Sequence, residues 1–141
     1  MVLHAGFAWA AVLRREALMW LKQAESDLRK ALNDLVTGDW DSAAFWSRQA
    51  ADKALKALLV EHGLVYRGRE LLEMADLVEK ELNIDVGEIR NLLRDLTIHY
   101  VVSRYPNAAN AVPADLYTRD IAESLVEKAR RVVEWAKRYL H

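Results

Sequence analysis

Residues 43–59 read AAFWSRQAADKALKALL, and their small and apolar residues fall on more than one face of a helix drawn through them. Ala43, Ala44, Ala50, Ala51, Ala54, Leu55, Ala57, Leu58 and Leu59 cover a wide arc. Small residues let helices approach closely, and a helix apolar over a wide arc is packed on two sides. The pattern predicts a central helix from about Trp40 to His62, with a neighbouring helix on one side and room for a partner subunit on the other.

Working outward, Gly38 reads as a stop and Asp39 as an N-cap, so the turn before this helix is short and the preceding helix is antiparallel to it. That first helix spans about Glu16 to Val36, with Leu18, Leu21, Ala24, Leu28, Ala31, Leu32 and Leu35 at three-and-four spacing. Lys22, Glu25, Asp27, Arg29 and Lys30 fill its polar positions. Downstream, Gly63 ends the central helix, and a loop with Arg67, Gly68 and Arg69 leads to a third helix, Glu70 to Leu82. Asp85 and Glu88 have capping-box spacing and open a fourth helix, which runs to about Tyr100 with Ile89, Leu92, Leu93, Leu96 and Ile98 as its apolar set. A connection of about seventeen residues follows, long for a compact domain and a frequent place for function. Thr118 then caps a last helix carrying Ile121, Leu125, Ala129, Val132, Val133, Ala136 and Leu140. No strand-like alternation of useful length occurs. The fold class is all-α, an up-and-down bundle of four to five helices.

The 141 residues fit one domain, 1–141, with residues 1–15 an apolar N-terminal extension. That extension carries its charges after the apolar run, the reverse of a secretory signal, and is too short to span a bilayer. Twenty Lys plus Arg balance 21 Asp plus Glu, so any anion site must be local. The absence of cysteine excludes thiol catalysis and Cys-ligated zinc and suits a cytoplasmic location. His4, His62, His99 and His141 are too scattered to suggest a metal site, and no cofactor motif is visible. Trp20, Trp40, Trp46 and Trp135 read as core or interface anchors, and Lys53 and Lys56 as solvated.

The candidate chemistry lies in LLRDLTIHYVVSRYPNAAN, residues 92–110. Arg94 and His99 diverge by about 140° on a regular helix, whereas Arg90 and Arg94, and Asp95 and His99, each stand one turn apart. Asp95 is placed to accept from the His99 imidazole, fixing its tautomer and raising its pKa, which would suit a general acid or base. Arg90, Arg94 and Arg104, with Tyr105 beside the last, would suit a phosphate or nucleotide. The alternative is a basic helix end that complements the macrodipole, with Tyr105 and Pro106 turning the chain.

EALMWLKQA at 16–24, the 43–59 stretch, HYVVSRYPNAAN at 99–110 and YTRDIAESLVEKARRVVEWAK at 117–137 together resemble the HEPN (higher eukaryotes and prokaryotes nucleotide-binding) domain family. Arg94, Asp95 and His99 match that family's signature of an arginine, a polar residue and a following histidine. The resemblance implies metal-independent RNA cleavage at the interface of a homodimer, without a cofactor. It implies His99 as acid or base at the ribose 2′-hydroxyl or the leaving oxygen, Arg94 on the phosphate charge, and Asp95 as the orienting residue. Groups that diverge on one helix would then line a cleft across a two-fold axis. It further implies a minimal nucleotidyltransferase as partner and a toxin role. A non-catalytic nucleotide-binding or scaffold subunit of such a pair is the alternative. The chain departs from the family before the third helix, where Tyr66-Arg67-Gly68-Arg69 lacks the histidine common there.

Overall fold

Alternation of long amphipathic segments with short glycine- or asparagine-ended turns gives five long helices and two single-turn ones in the computed structural model, which describes residues 7–141. In chain order they are α1 (Phe7–Thr37), α2 (Trp40–Glu61), α3 (Leu71–Leu82), α4 (Gly87–Thr97), α5 (Pro106–Ala109), α6 (Pro113–Leu116) and α7 (Arg119–Tyr139). A 3₁₀ turn, Ile98–Tyr100, extends α4. Gly38 and Gly63 stop α1 and α2 at φ +80 and +78, a backbone region that costs glycine little. Residues 7–15 of the apolar extension form the first turns of α1, and its earlier part lies outside the described residues. Among the described residues no helix is long and apolar enough to cross a membrane.

α2 is the centre of the bundle, with α1, α7, α3 and α4 all packed on it. Its second apolar side is therefore covered by helices of the same chain. Leu125, Ala129, Val132, Val133, Trp135 and Ala136 of α7 are buried with the α2 alanines, where small side chains let the helices approach. Trp135 is buried, and Trp20 and Trp40 pack against the same core from its margin.

Several polar expectations change because tertiary partners override local spacing. Asp27, placed on the polar face of the first helix, is fully buried and is held by Gln23 at 2.9 Å, Lys53 at 2.5 Å and Lys30 at 3.4 Å. Lys53 and Lys56 are accordingly not simply solvated: Lys56 reaches Asp52 at 2.9 Å. Leu18 and Leu32 flank the seam and stay exposed. Asp85 accepts from the Gly87 amide at 2.8 Å, while Glu88 turns to Arg138 instead of closing a capping box. Asp39 makes no side-chain cap, whereas Thr118 does, to the Ile121 amide at 3.4 Å.

Candidate functional site

Burial of Ile89, Leu92, Leu93 and Leu96 fixes the rotation of α4. Arg94 and Asp95 are thereby left on its outer side. After Thr97 the chain tightens into the 3₁₀ turn, and Ser103 Oγ clamps it by donating to the His99 carbonyl at 2.5 Å. Consecutive residues of such a turn point about 120° apart. His99 consequently faces inward at 9% exposure, while its neighbours Ile98 and Tyr100 do not share its direction.

The inward partner is Tyr117, which closes the long connection just before α7 and lies with its hydroxyl 2.5 Å from His99 Nδ1. Burial pushes the Tyr117 phenol up to about 12, so it remains protonated. Burial likewise pushes His99 down from 6.5 to about 4; the main chain and carboxylate of Asp95 oppose this and the Lys128 ammonium reinforces it. His99 is therefore neutral near pH 7. A hydroxyl can donate or accept, so Tyr117 can hold the ring in either neutral tautomer. With Nδ1 donating, Nε2 keeps a lone pair, the form a general base requires.

Spacing predicts an Asp95 carboxylate bonded to His99 and a raised histidine pKa; the structure shows neither. Asp95 instead pairs with Lys128 of α7 at 3.1 Å. A cation across the bundle outcompetes an imidazole one turn away, and burial decides the direction of the shift.

Arg94, Asp95 and His99 open together on a depression of about 480 Å³ between the end of α4 and the start of α7. Asp120, Ser124 and Lys128 line its far wall, and Ile98 and Ile121 stand exposed along it at 55% and 42%. Arg94 bonds Asn91 Oδ1 at 2.5 Å and has no carboxylate at ion-pair distance among the described residues.

The other three predicted site residues lie elsewhere. Arg90 turns to α3, pairing with Asp76 at 2.9 Å and Glu79 at 3.6 Å. Arg104 and Tyr105 lie toward α2, where the Arg104 guanidinium sits 4.5 Å from the centres of both the Phe45 and Tyr100 rings and 5.1 Å from that of Tyr105. Tyr117 and Lys128 escape sequence reasoning because both meet His99 and Asp95 only through folding. The one available signal for Tyr117 was its place at the end of an unusually long connection.

The family model described as HEPN domain matches residues 17–139. The protein named "Putative toxin MJ1304" of Methanocaldococcus jannaschii is 29% identical over 133 residues, 88% of each chain. The crystal structure of TT1696 from Thermus thermophilus superposes with a TM-score of 0.82 at 32% identity, covering 88% of this chain and 98% of that one. ST0689, described as an archaeal HEPN homologue, gives 0.72 at 30% identity, covering 89% and 98%. The HEPN domain protein tm0613 from Thermotoga maritima gives 0.70 at 26%, covering 86% and 97%.

Proposed function

This chain belongs to the HEPN domain family, and from that membership we propose that it is a metal-independent endoribonuclease of toxin type, acting at a cleft shared by two copies of the chain. The observation that carries this reading is that Arg94 and a neutral, tethered His99 open on one depression edged by exposed Ile98 and Ile121. An open half-site with apolar margins is suited to closure by its own two-fold copy.

In the proposed reaction His99 Nε2 takes the proton of a ribose 2′-hydroxyl while Nδ1 donates to the neutral Tyr117 oxygen. The 2′-oxygen bonds to phosphorus and the bond from phosphorus to the 5′-oxygen breaks. Water protonates the leaving oxygen, and the resulting hydroxide takes the proton back from His99, leaving a 2′,3′-cyclic phosphate and a 5′-hydroxyl. Arg94 supplies a planar fork to the phosphoryl oxygens as charge develops on them. Asp95 orients Lys128 toward the same depression instead of orienting His99 directly. The similarity to the protein named "Putative toxin MJ1304" supports the toxin role; a minimal nucleotidyltransferase partner and a cytoplasmic site of action are part of the same proposal.

The near-complete burial of His99 in the single chain favours a second reading, a non-catalytic nucleotide-binding or scaffold subunit of that pair. Incubation with single-stranded RNA in chelator, beside His99→Ala, separates the two. Cyclic-phosphate products from the unaltered protein alone support the nuclease. Equal cleavage by both proteins removes the assignment, and no cleavage of any RNA together with co-purification of a nucleotidyltransferase supports the scaffold.

A further inference from the structure

Tyr100 follows His99 directly but points to the other flank of the 3₁₀ turn, toward α2, where three guanidiniums surround its ring. Those of Arg104, Arg69 and Arg48 lie 4.5, 4.6 and 5.2 Å from its centre. Arg48 is the rear of this group: it is 3% exposed, donates to the Thr97 and Arg69 carbonyls, and pairs with Asp52 at 3.3 Å. Asp52 is itself shared with Lys56, so it does not neutralise Arg48 alone.

Arg69 and Arg104 form the exposed front. Arg69 donates from one terminal nitrogen to the Tyr100 hydroxyl, and Arg104 donates from Nε to the Tyr100 carbonyl at 2.9 Å. These bonds fix both forks while leaving several N–H donors unused. Among the described residues neither guanidinium has a carboxylate within ion-pair distance. Crowding like charges on one ring is unfavourable in the free protein, and an oxyanion bound to both forks relieves it. Half-exposed Tyr105, against Arg104, adds an aromatic face beside the cations. Fixed guanidinium forks next to an exposed ring are the combination that holds a single strand, by its phosphates and by base stacking.

We propose that Arg69 and Arg104, braced on Tyr100 with Arg48 behind them, bind the phosphodiester backbone of single-stranded RNA at a site separate from the depression that holds His99. The inference rests on the reading of the chain as an RNA-acting protein, but not on cleavage.

The test is anisotropy of a fluorescent single-stranded RNA against His99→Ala protein, compared with the same protein carrying Arg69→Gln and Arg104→Gln, across a salt series. The double substitution is expected to weaken binding at least tenfold and to flatten the slope of log affinity against log salt by about 0.7 per lost phosphate contact. Arg69→Lys with Arg104→Lys is expected to recover the salt slope but not the full affinity, since charge returns without the fork. Arg130→Gln, on an exposed arginine of α7, is expected to change neither quantity. Unchanged affinity and slope in the double variant, with circular dichroism showing it folded, overturns the inference. So does displacement of the RNA by ATP or inorganic phosphate at matched phosphate concentration, which would make the ligand a free phosphate. Because the readout is binding of uncut RNA, a failure here leaves the nuclease assignment standing, and a failure of cleavage leaves this result readable.

Discussion

The Tyr117 hydroxyl lies 2.5 Å from His99 Nδ1, joining the end of the long connection to the turn that finishes α4. Both residues are buried, so removing the hydroxyl leaves a ring nitrogen without its partner. Tyr117→Phe is expected to cost about 1–3 kcal/mol of stability, read from the denaturant midpoint. RNA cleavage is expected to fall about tenfold while dimer formation is unaffected, because the ring is no longer held in one orientation. A variant with full stability and full activity would remove Tyr117 from the account.

His99 also gives stability a pH dependence. Its pKa is about 4 in the folded chain against 6.5 as an ordinary histidine, so the unfolded chain binds more protons between those values. The stabilisation is fully present above pH 6.5 and is lost as pH falls toward 4, by up to about 3 kcal/mol. Urea midpoints measured from pH 7.5 to 4 are expected to fall more steeply for the unaltered protein than for His99→Phe. Parallel curves would show that His99 titrates normally in the fold.

Arg48 and Asp52 form a buried pair at 3.3 Å, with Lys56 as the second cation on Asp52 at 2.9 Å. Arg48→Ala leaves buried Asp52 with Lys56 alone and is expected to destabilise, by less than the about 3–5 kcal/mol of a fully uncompensated buried charge, whereas replacing both by apolar residues of similar volume is expected to cost still less. The difference between the single and double substitutions, measured by thermal or denaturant unfolding, is the checkable quantity.

Ile98 and Ile121 are exposed on opposite sides of the depression and contribute little to the monomer core. Ile98→Asp with Ile121→Asp is expected to leave the helical signal intact and convert a dimer to a monomer in light scattering. Persistence of the dimer would place its interface on another face.

The bundle was readable from the sequence because each long helix writes its buried face in apolar spacing, as α4 does with Ile89, Leu92, Leu93 and Leu96. Turn chemistry was readable where one residue suffices, as at Gly38, Gly63 and Thr118. Local spacing misled where a distant partner intervened: the cap residue Glu88 found Arg138, the helix-face Asp27 found Lys53, and Asp95, read as the partner of His99, found Lys128. For the candidate site, spacing and resemblance pointed to Arg94, Asp95 and His99, and the fold brings these three to one depression. Spacing could not separate Arg90 and Arg104 from them, because Arg90 is claimed by carboxylates of α3 and the tightening of the helix at Ile98 redirects the side chains that follow it.

Single-turnover cleavage in chelator decides whether Arg94 and His99 cut RNA. Unaltered protein, His99→Ala and Arg94→Gln, each verified as folded and equally able to bind RNA, are compared on one substrate. A loss of about 10²–10⁴ in rate is expected for His99→Ala and a comparable order of loss for Arg94→Gln, with 2′,3′-cyclic phosphate ends on the products of the unaltered protein. Equal rates in all three proteins would contradict it.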